Sequence, residues 1–166
     1  NNFDGVADQT VSVSTTDDDV AGFTVVELEG STAVDESGTT DTFTVVLNAQ
    51  PDSDVVVAIT SSDTGEASSN SPLTFTSSNW DTAQTVTVTG VDDDIIDGSQ
   101  NSTLTLSIVS AITDDDFDAV ADQTVSVSTT DDDVAGFTVA ETEGSTGVTE
   151  AGGTDTFTVV LNAQPD

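Results

Sequence analysis

The side chains able to do chemistry in this sequence are almost all carboxylates. Of 166 residues, 32 are Asp or Glu, while Lys, Arg, His and Cys are absent, so the formal net charge is −32. The acids fall in short clusters: "VDESG" at 34–38, "SSDTGE" at 61–66 and "VDDDIIDG" at 91–98. The stretch "TTDDDVAGFTV" occurs twice, at 15–25 and 129–139. With no histidine base, lysine amine, thiol or arginine clamp, only a glycosidase-like carboxylate pair is left for catalysis. Aspartates packed this densely do not hold one proton poised, and a single Trp without Tyr offers little platform for a sugar. The chain is therefore not expected to be an enzyme. Phosphate-binding surfaces need Lys and Arg, which excludes nucleic acid, and the same charge argues against anionic membranes. What many hard oxygen donors without nitrogen or sulfur can do is bind Ca²⁺; Mg²⁺ keeps its waters, and zinc and copper prefer softer ligands.

Such donors need a scaffold, and the scaffold is repeated. "FDGVADQTVSVSTTDDDVAGFTV" at 3–25 returns with one change at 117–139, and "DTFTVVLNAQPD" at 41–52 returns at 155–166. Phe3 and Phe117 set a period of 114 residues. The expected organisation is the end of one repeat at 1–21, one complete repeat at 22–133 and the start of another at 134–166. The chain begins at Asn rather than Met and reads as a slice of something longer. No run of about 18 apolar residues is present, so no membrane insertion is expected in this segment.

Within a repeat the apolar period is two. "TFTVVLN" (42–48) sends Phe43, Val45 and Leu47 one way and threonines the other. "GFTVVEL" (22–28), "DVVVAIT" (54–60), "PLTFTS" (72–77), "TVTVTG" (85–90), "TLTLSIV" (103–109) and "TVSVST" (124–129) follow suit. Seven short alternating strands predict an all-β, antiparallel, immunoglobulin-like sandwich. Trp80 is expected to plug the core between the fourth and fifth strands.

In seven consecutive strands alternate connections share an end. Asp35, Glu36, Asp63, Asp92, Asp93, Asp94, Asp97, Asp131, Asp132 and Asp133 should thus meet at one pole, where their repulsion demands a divalent cation. In the second copy Thr149 stands where Asp35 stood while Glu150 keeps the acid of Glu36, which favours the glutamate as ligand. The opposite pole carries Asp52, Asp54, Asp114, Asp115, Asp116 and Asp118. It faces Asp17, Asp18 and Asp19 across the short "VAG" linker, so a second cation is expected to stiffen the junction between units.

"VDESG", "SSDTGEAS", "LTFTSSNWDTAQTVTVTGVDDDIIDG" and "VSVSTTDDDVAGF" together resemble the Calx-beta family over 22–133. That family occurs in sodium/calcium exchangers and in tandem arrays of large bacterial surface proteins. The resemblance implies calcium ligands at Glu36, Asp63, Asp92, Asp93, Asp97, Asp131, Asp132 and Asp133. One departure is that Asp97 is followed by "GSQN" where family members often carry further acids.

These readings converge on a calcium-stiffened tandem stalk of an extracellular filament or bacterial surface adhesin. Its partners would be neighbouring repeats or subunits of the same protein. A chain without Lys or Arg offers trypsin-like proteases no cleavage site, which suits an extracellular or cell-surface setting, where millimolar calcium keeps such a module loaded. A calcium-sensing regulatory module and a strand-exchanged filament subunit are the alternatives. Asn101 opens an "NST" glycosylation pattern, and exposed Ser/Thr hydroxyls are further candidates for glycans.

Overall fold

A computed structural model describes residues 4–28 and 30–165. Phe3, which anchors the repeat, and the terminal Asp166 lie outside the described residues. Nine strands build the sandwich: β1 (Phe23–Glu27), β2 (Thr32–Asp35), β3 (Thr40–Leu47), β4 (Val55–Ser61), β5 (Ala67–Ser69), β6 (Leu73–Phe75), β7 (Gln84–Gly90), β8 (Gln100–Ile108) and β9 (Gln123–Thr130). One sheet runs β1-β3-β7-β5 and the other β2-β9-β8-β4-β6. The seven expected segments all carry strand, and β2 and β5 are additional.

The count and the purely antiparallel expectation both need correction, for one reason. The first strand of the unit changes sheets: β1 pairs antiparallel with β3, after which β2 crosses and pairs parallel with β9. The strand before β7 also divides, with β5 on β7 and β6 on β4. At that crossing Asn70 Oδ1 accepts from Thr87 N (2.6 Å) and Ser71 Oγ accepts from Ile59 N (2.9 Å). Two side chains thus replace ladder bonds in opposite sheets. Neither crossing leaves a mark in the alternation of apolar residues.

The alternation itself is obeyed. Phe23, Phe43, Val45, Val86 and Val88 face Val55, Val57, Leu104, Leu106, Val125 and Val127 across the core. Outward positions are mostly threonine and serine, including the cross-strand pairs Thr42–Thr87 and Thr44–Thr85. Trp80 packs on the edge of the core, and its carbonyl accepts from Leu47 N (3.1 Å).

Beyond the sandwich, β10 (Phe137–Glu141) and β11 (Phe157–Leu161) form a hairpin. Its register, Phe137 opposite Leu161, reproduces Phe23 opposite Leu47. Phe137, Val139, Phe157, Val159 and Leu161 are exposed, whereas Phe23, Phe43, Val45 and Leu47 are buried. Residues 9–16, identical in sequence to β9, form no strand among the described residues. No helix among the described residues is long and apolar enough to cross a membrane.

Candidate metal centre

The turn that follows β2 is shaped by "VDESG". Asp35 Oδ1 accepts from Ser37 N (2.9 Å) and Asp35 O from Gly38 N (3.1 Å), while Gly38 takes a φ of 88° that favours glycine. Hydrogen bonds from Ser37 hold the Asp35 carboxyl below its usual range, so Asp35 acts as the cap of this turn. The turn is pressed against the end of β7, where a Cβ on Gly90 would overlap the Asp35 carbonyl. Glu36 N donates to Thr130 O (3.0 Å), which ties the turn to the end of β9. Squeezed between these ends, Glu36 is 1% exposed.

Glu66 closes the loop between β4 and β5. Asp63 organises that loop: its Oδ1 accepts from Gly65 N (3.0 Å) and its carbonyl from Ala67 N (3.2 Å). Glu66 O then accepts from Val91 N (2.9 Å) and from the Thr129 hydroxyl (3.3 Å), and the side chain is 7% exposed. The loop after β7 brings Asp93 and Asp97, and the chain leaving β9 brings Asp131 to Asp133. Asp131 stitches these two together, with Oδ2 accepting from Gly98 N (2.8 Å) and Oδ1 from Asp133 N (2.8 Å). Asp93 Oδ1 accepts from Ile95 N (2.7 Å).

Two groups of carboxylates converge. Glu36, Glu66 and Asp97 each present one oxygen within 4.8 Å of the others, and so do Glu36, Asp93 and Asp133. Glu36 belongs to both. Glu36 Oε2, Glu66 Oε2 and Asp133 Oδ2 are buried without a hydrogen-bond partner. Buried polar atoms almost always have partners, so three orphaned carboxylate oxygens on residues of these two groups point to a ligand that supplies positive charge.

The electrostatics agree. Burial, followed by the charges of Glu66, Asp131, Asp93 and Asp97, pushes the Glu36 carboxyl up to about 7. Burial, together with Asp97, Asp63, Asp93 and Asp131, raises Glu66. Burial and the charges of Asp94, Asp131, Asp132 and Asp93 raise Asp133. At an effective dielectric of about 20, two unit charges 4 Å apart repel by about 4 kcal/mol. A divalent cation reverses the sign of those contacts. The donors are all oxygen, which fits Ca²⁺. Two groups sharing Glu36 can hold up to two such ions.

The remaining sequence candidates distribute as follows. Asp63 and Asp94 lie outside both groups, although their charges reach Glu66 and Asp133 respectively. Asp92 and Asp132 are exposed and also outside both groups. Asp17 and Asp19 line a cleft of about 530 Å³ at the opposite pole with Asp52, Asp114 and Asp116, while Asp18 is exposed outside it. Among the described residues no group of converging carboxylates forms at that pole. There Asp114 Oδ2 accepts from Asp52 N (2.8 Å) and Ser53 N (2.9 Å), and Oδ1 from Asp116 N (3.0 Å). These main-chain donors, Ser53 first, hold the Asp114 carboxyl below its ordinary range. Glu66 is the residue that reading the sequence missed. Its position in an acidic loop of the same pole, three residues after Asp63, was the available signal.

No protein-family model matches this sequence, and no curated protein matches it. Among solved structures, the chain is similar to the apo form of the Calx CBD1 domain at 16% identity and a TM-score of 0.46, covering 67% of this chain and 98% of that one. It is similar to the calcium binding domain CBD12 of CALX1.1 at 17% identity and a TM-score of 0.46, covering 72% of this chain and 48% of that one. The E. coli chaperone DraB aligns with the same TM-score of 0.46 at 7% identity, over 70% of this chain and 59% of its own. A chaperone and calcium-binding domains score alike, so the description of the fold rests on the strand pairings above.

Proposed function

We propose that this chain is a calcium-binding β-sandwich module that serves as one segment of a calcium-stiffened tandem stalk, in an extracellular filament or bacterial surface adhesin. The observation that carries the reading is Glu36, a buried carboxylate with an unpartnered oxygen, shared by two groups of acids from four separate chain segments. Burying such a residue is costly unless a cation or a proton neutralises it, and the surrounding acids favour the cation.

The stalk part of the reading rests on the sequence repeat and on the position of the acids. Asp133 belongs to one carboxylate group, and only Val134, Ala135 and Gly136 separate it from β10. An ion held there would sit beside the junction with the next unit. At about 1 mM calcium, with the dissociation constants of about 10⁻⁴–10⁻³ M typical of extracellular modules, the site would be about half to nine-tenths filled.

The test is titration with Ca²⁺ and with luminescent Tb³⁺ after exhaustive chelation. Saturable binding that Glu36→Ala abolishes is the expected result. A chain that binds neither ion up to about 10 mM, well above the range of extracellular sites, would overturn the reading. Micromolar affinity with a large change of shape would instead favour a sensor.

A further inference from the structure

The loop carrying Asp93 and Asp97 has an apolar tip that the metal centre does not use. Ile95 is half-buried and Ile96 is 41% exposed, flanked by Asp92, Asp93, Asp94 and Asp97. This tip touches the hairpin that begins the next unit. Gln164 N donates to Asp94 O (2.6 Å), and Ile95 pairs with Gln164 in a parallel β-bridge. Asp94, Asn162, Ala163 and Gln164 enclose part of a small cavity of about 220 Å³.

The repeat locates the same surface on the complete unit. Residues 41–52 and 155–166 are identical, so Ala49 and Gln50 are the counterparts of Ala163 and Gln164. Ala49 and Gln50 border the 530 Å³ cleft at the pole opposite the metal centre, together with Pro51, Phe117 and Val120. The cleft lining that contains the counterpart of Gln164 thus mixes apolar side chains with the carboxylates of Asp17, Asp19, Asp52, Asp114 and Asp116.

We infer that consecutive units are joined by a plug and a socket. The tip Asp94–Ile96 of one unit seats in the cleft beside Ala49, Gln50, Phe117 and Val120 of the following unit, so the occupant of the cleft is the preceding copy of the same loop. Main-chain pairing through the position of Gln50 sets the register, and Ile95 and Ile96 supply the apolar contact. The inference rests on the tandem reading but not on the ion. Because the plug neighbours Asp93 and Asp97, a single loop serves both the joint and the metal centre.

The chain contains no cysteine, which makes cross-linking a clean probe. Neighbouring strands run about 5 Å apart, within the span of a disulfide. Oxidation of the Ile95→Cys, Gln164→Cys variant should therefore close an intramolecular disulfide. It should form about tenfold faster than in a Thr74→Cys, Gln164→Cys control. Equal rates overturn the joint. Tb³⁺ binding is measured separately on the cysteine-free chain, because Ile95 lies between Asp93 and Asp97: absence of ion binding there with fast closure in the variant defeats the calcium reading alone, and ion binding there with slow closure in the variant defeats the joint alone. In a chain lengthened by a further copy of residues 53–133, Ile95→Ser with Ile96→Ser should broaden the distance distribution from small-angle scattering. An unchanged distribution overturns the seating in the cleft.

Discussion

The carboxylates of Glu36 and Glu66 meet within 4.8 Å although both side chains are buried and each keeps one oxygen without a partner. They come from different loops, and the close approach of the β2 turn to Gly90 holds Glu36 in place. Two buried like charges at that range oppose folding unless a cation or a proton lies between them. The energetic behaviour of the whole module follows from this pair.

Removing the ion should lower stability by mass action. A ligand at 100 times its dissociation constant contributes about 2.7 kcal/mol, or roughly 10 °C in melting temperature for a unit of this size. Calorimetry with calcium and with EDTA checks this; coincident transitions would contradict the proposed centre.

Glu36→Gln separates folding from binding. The amide keeps the shape and removes the buried charge. In EDTA above pH 7 the variant should be more stable than the parent, by about 1–3 kcal/mol. With calcium the order should reverse, because the shared ligand is lost. Chemical denaturation under both conditions reads the crossover.

The pH dependence of the ion-free chain follows from the direction of the shifts. The Glu36 carboxyl moves from 4.5 up to about 7 on folding, so its contribution to stability is fully present below pH 4.5 and is lost as pH rises through 7. Glu66 and Asp133 shift the same way. Asp114, whose carboxyl is lowered from 3.8, acts oppositely and loses its contribution only as pH falls below that value. Melting temperature in EDTA should therefore decline between pH 4.5 and 7.5, and Glu36→Gln should flatten the slope. Calcium affinity should rise over the same range, since binding displaces protons.

Stoichiometry tests the sharing of Glu36. Asp97→Asn should disable one group, Asp133→Asn the other, and Glu36→Ala both. Asp92→Asn should leave binding within about twofold, since an exposed charge outside both groups acts only through solvent. Isothermal titration of the four variants decides it.

Asp114 and Gly90 make a contrasting pair. Asp114→Ala removes the acceptor for three main-chain N–H groups and should cost about 2–4 kcal/mol with or without calcium, leaving affinity unchanged. Gly90→Ala forces the Asp35 turn away from β7. It should cost about 1–3 kcal/mol and also weaken calcium binding, because Glu36 moves with the turn. Stability and affinity measured together tell the two roles apart.

Alternation of apolar and hydroxyl residues, a signal local to each segment, was enough to find β1, β3, β4, β6, β7, β8 and β9. The gathering of Glu36, Asp93, Asp97 and Asp133 at one pole was legible too, since loops between successive strands alternate ends. Pairing across the fold decided the rest. The segments "TAVD" and "ASS" are strands only because β9 and β7 accept them, and parallel pairing of residues 32–35 with 127–130 cannot be seen in either stretch alone. The depth of Glu36 comes from a glycine more than fifty residues away, and the inward turn of Glu66 comes from the register of β5 on β7. Which acids would cap turns and which would converge on Glu36 was therefore a tertiary decision: burial, unlike charge or alternation, depends on what the rest of the chain brings alongside.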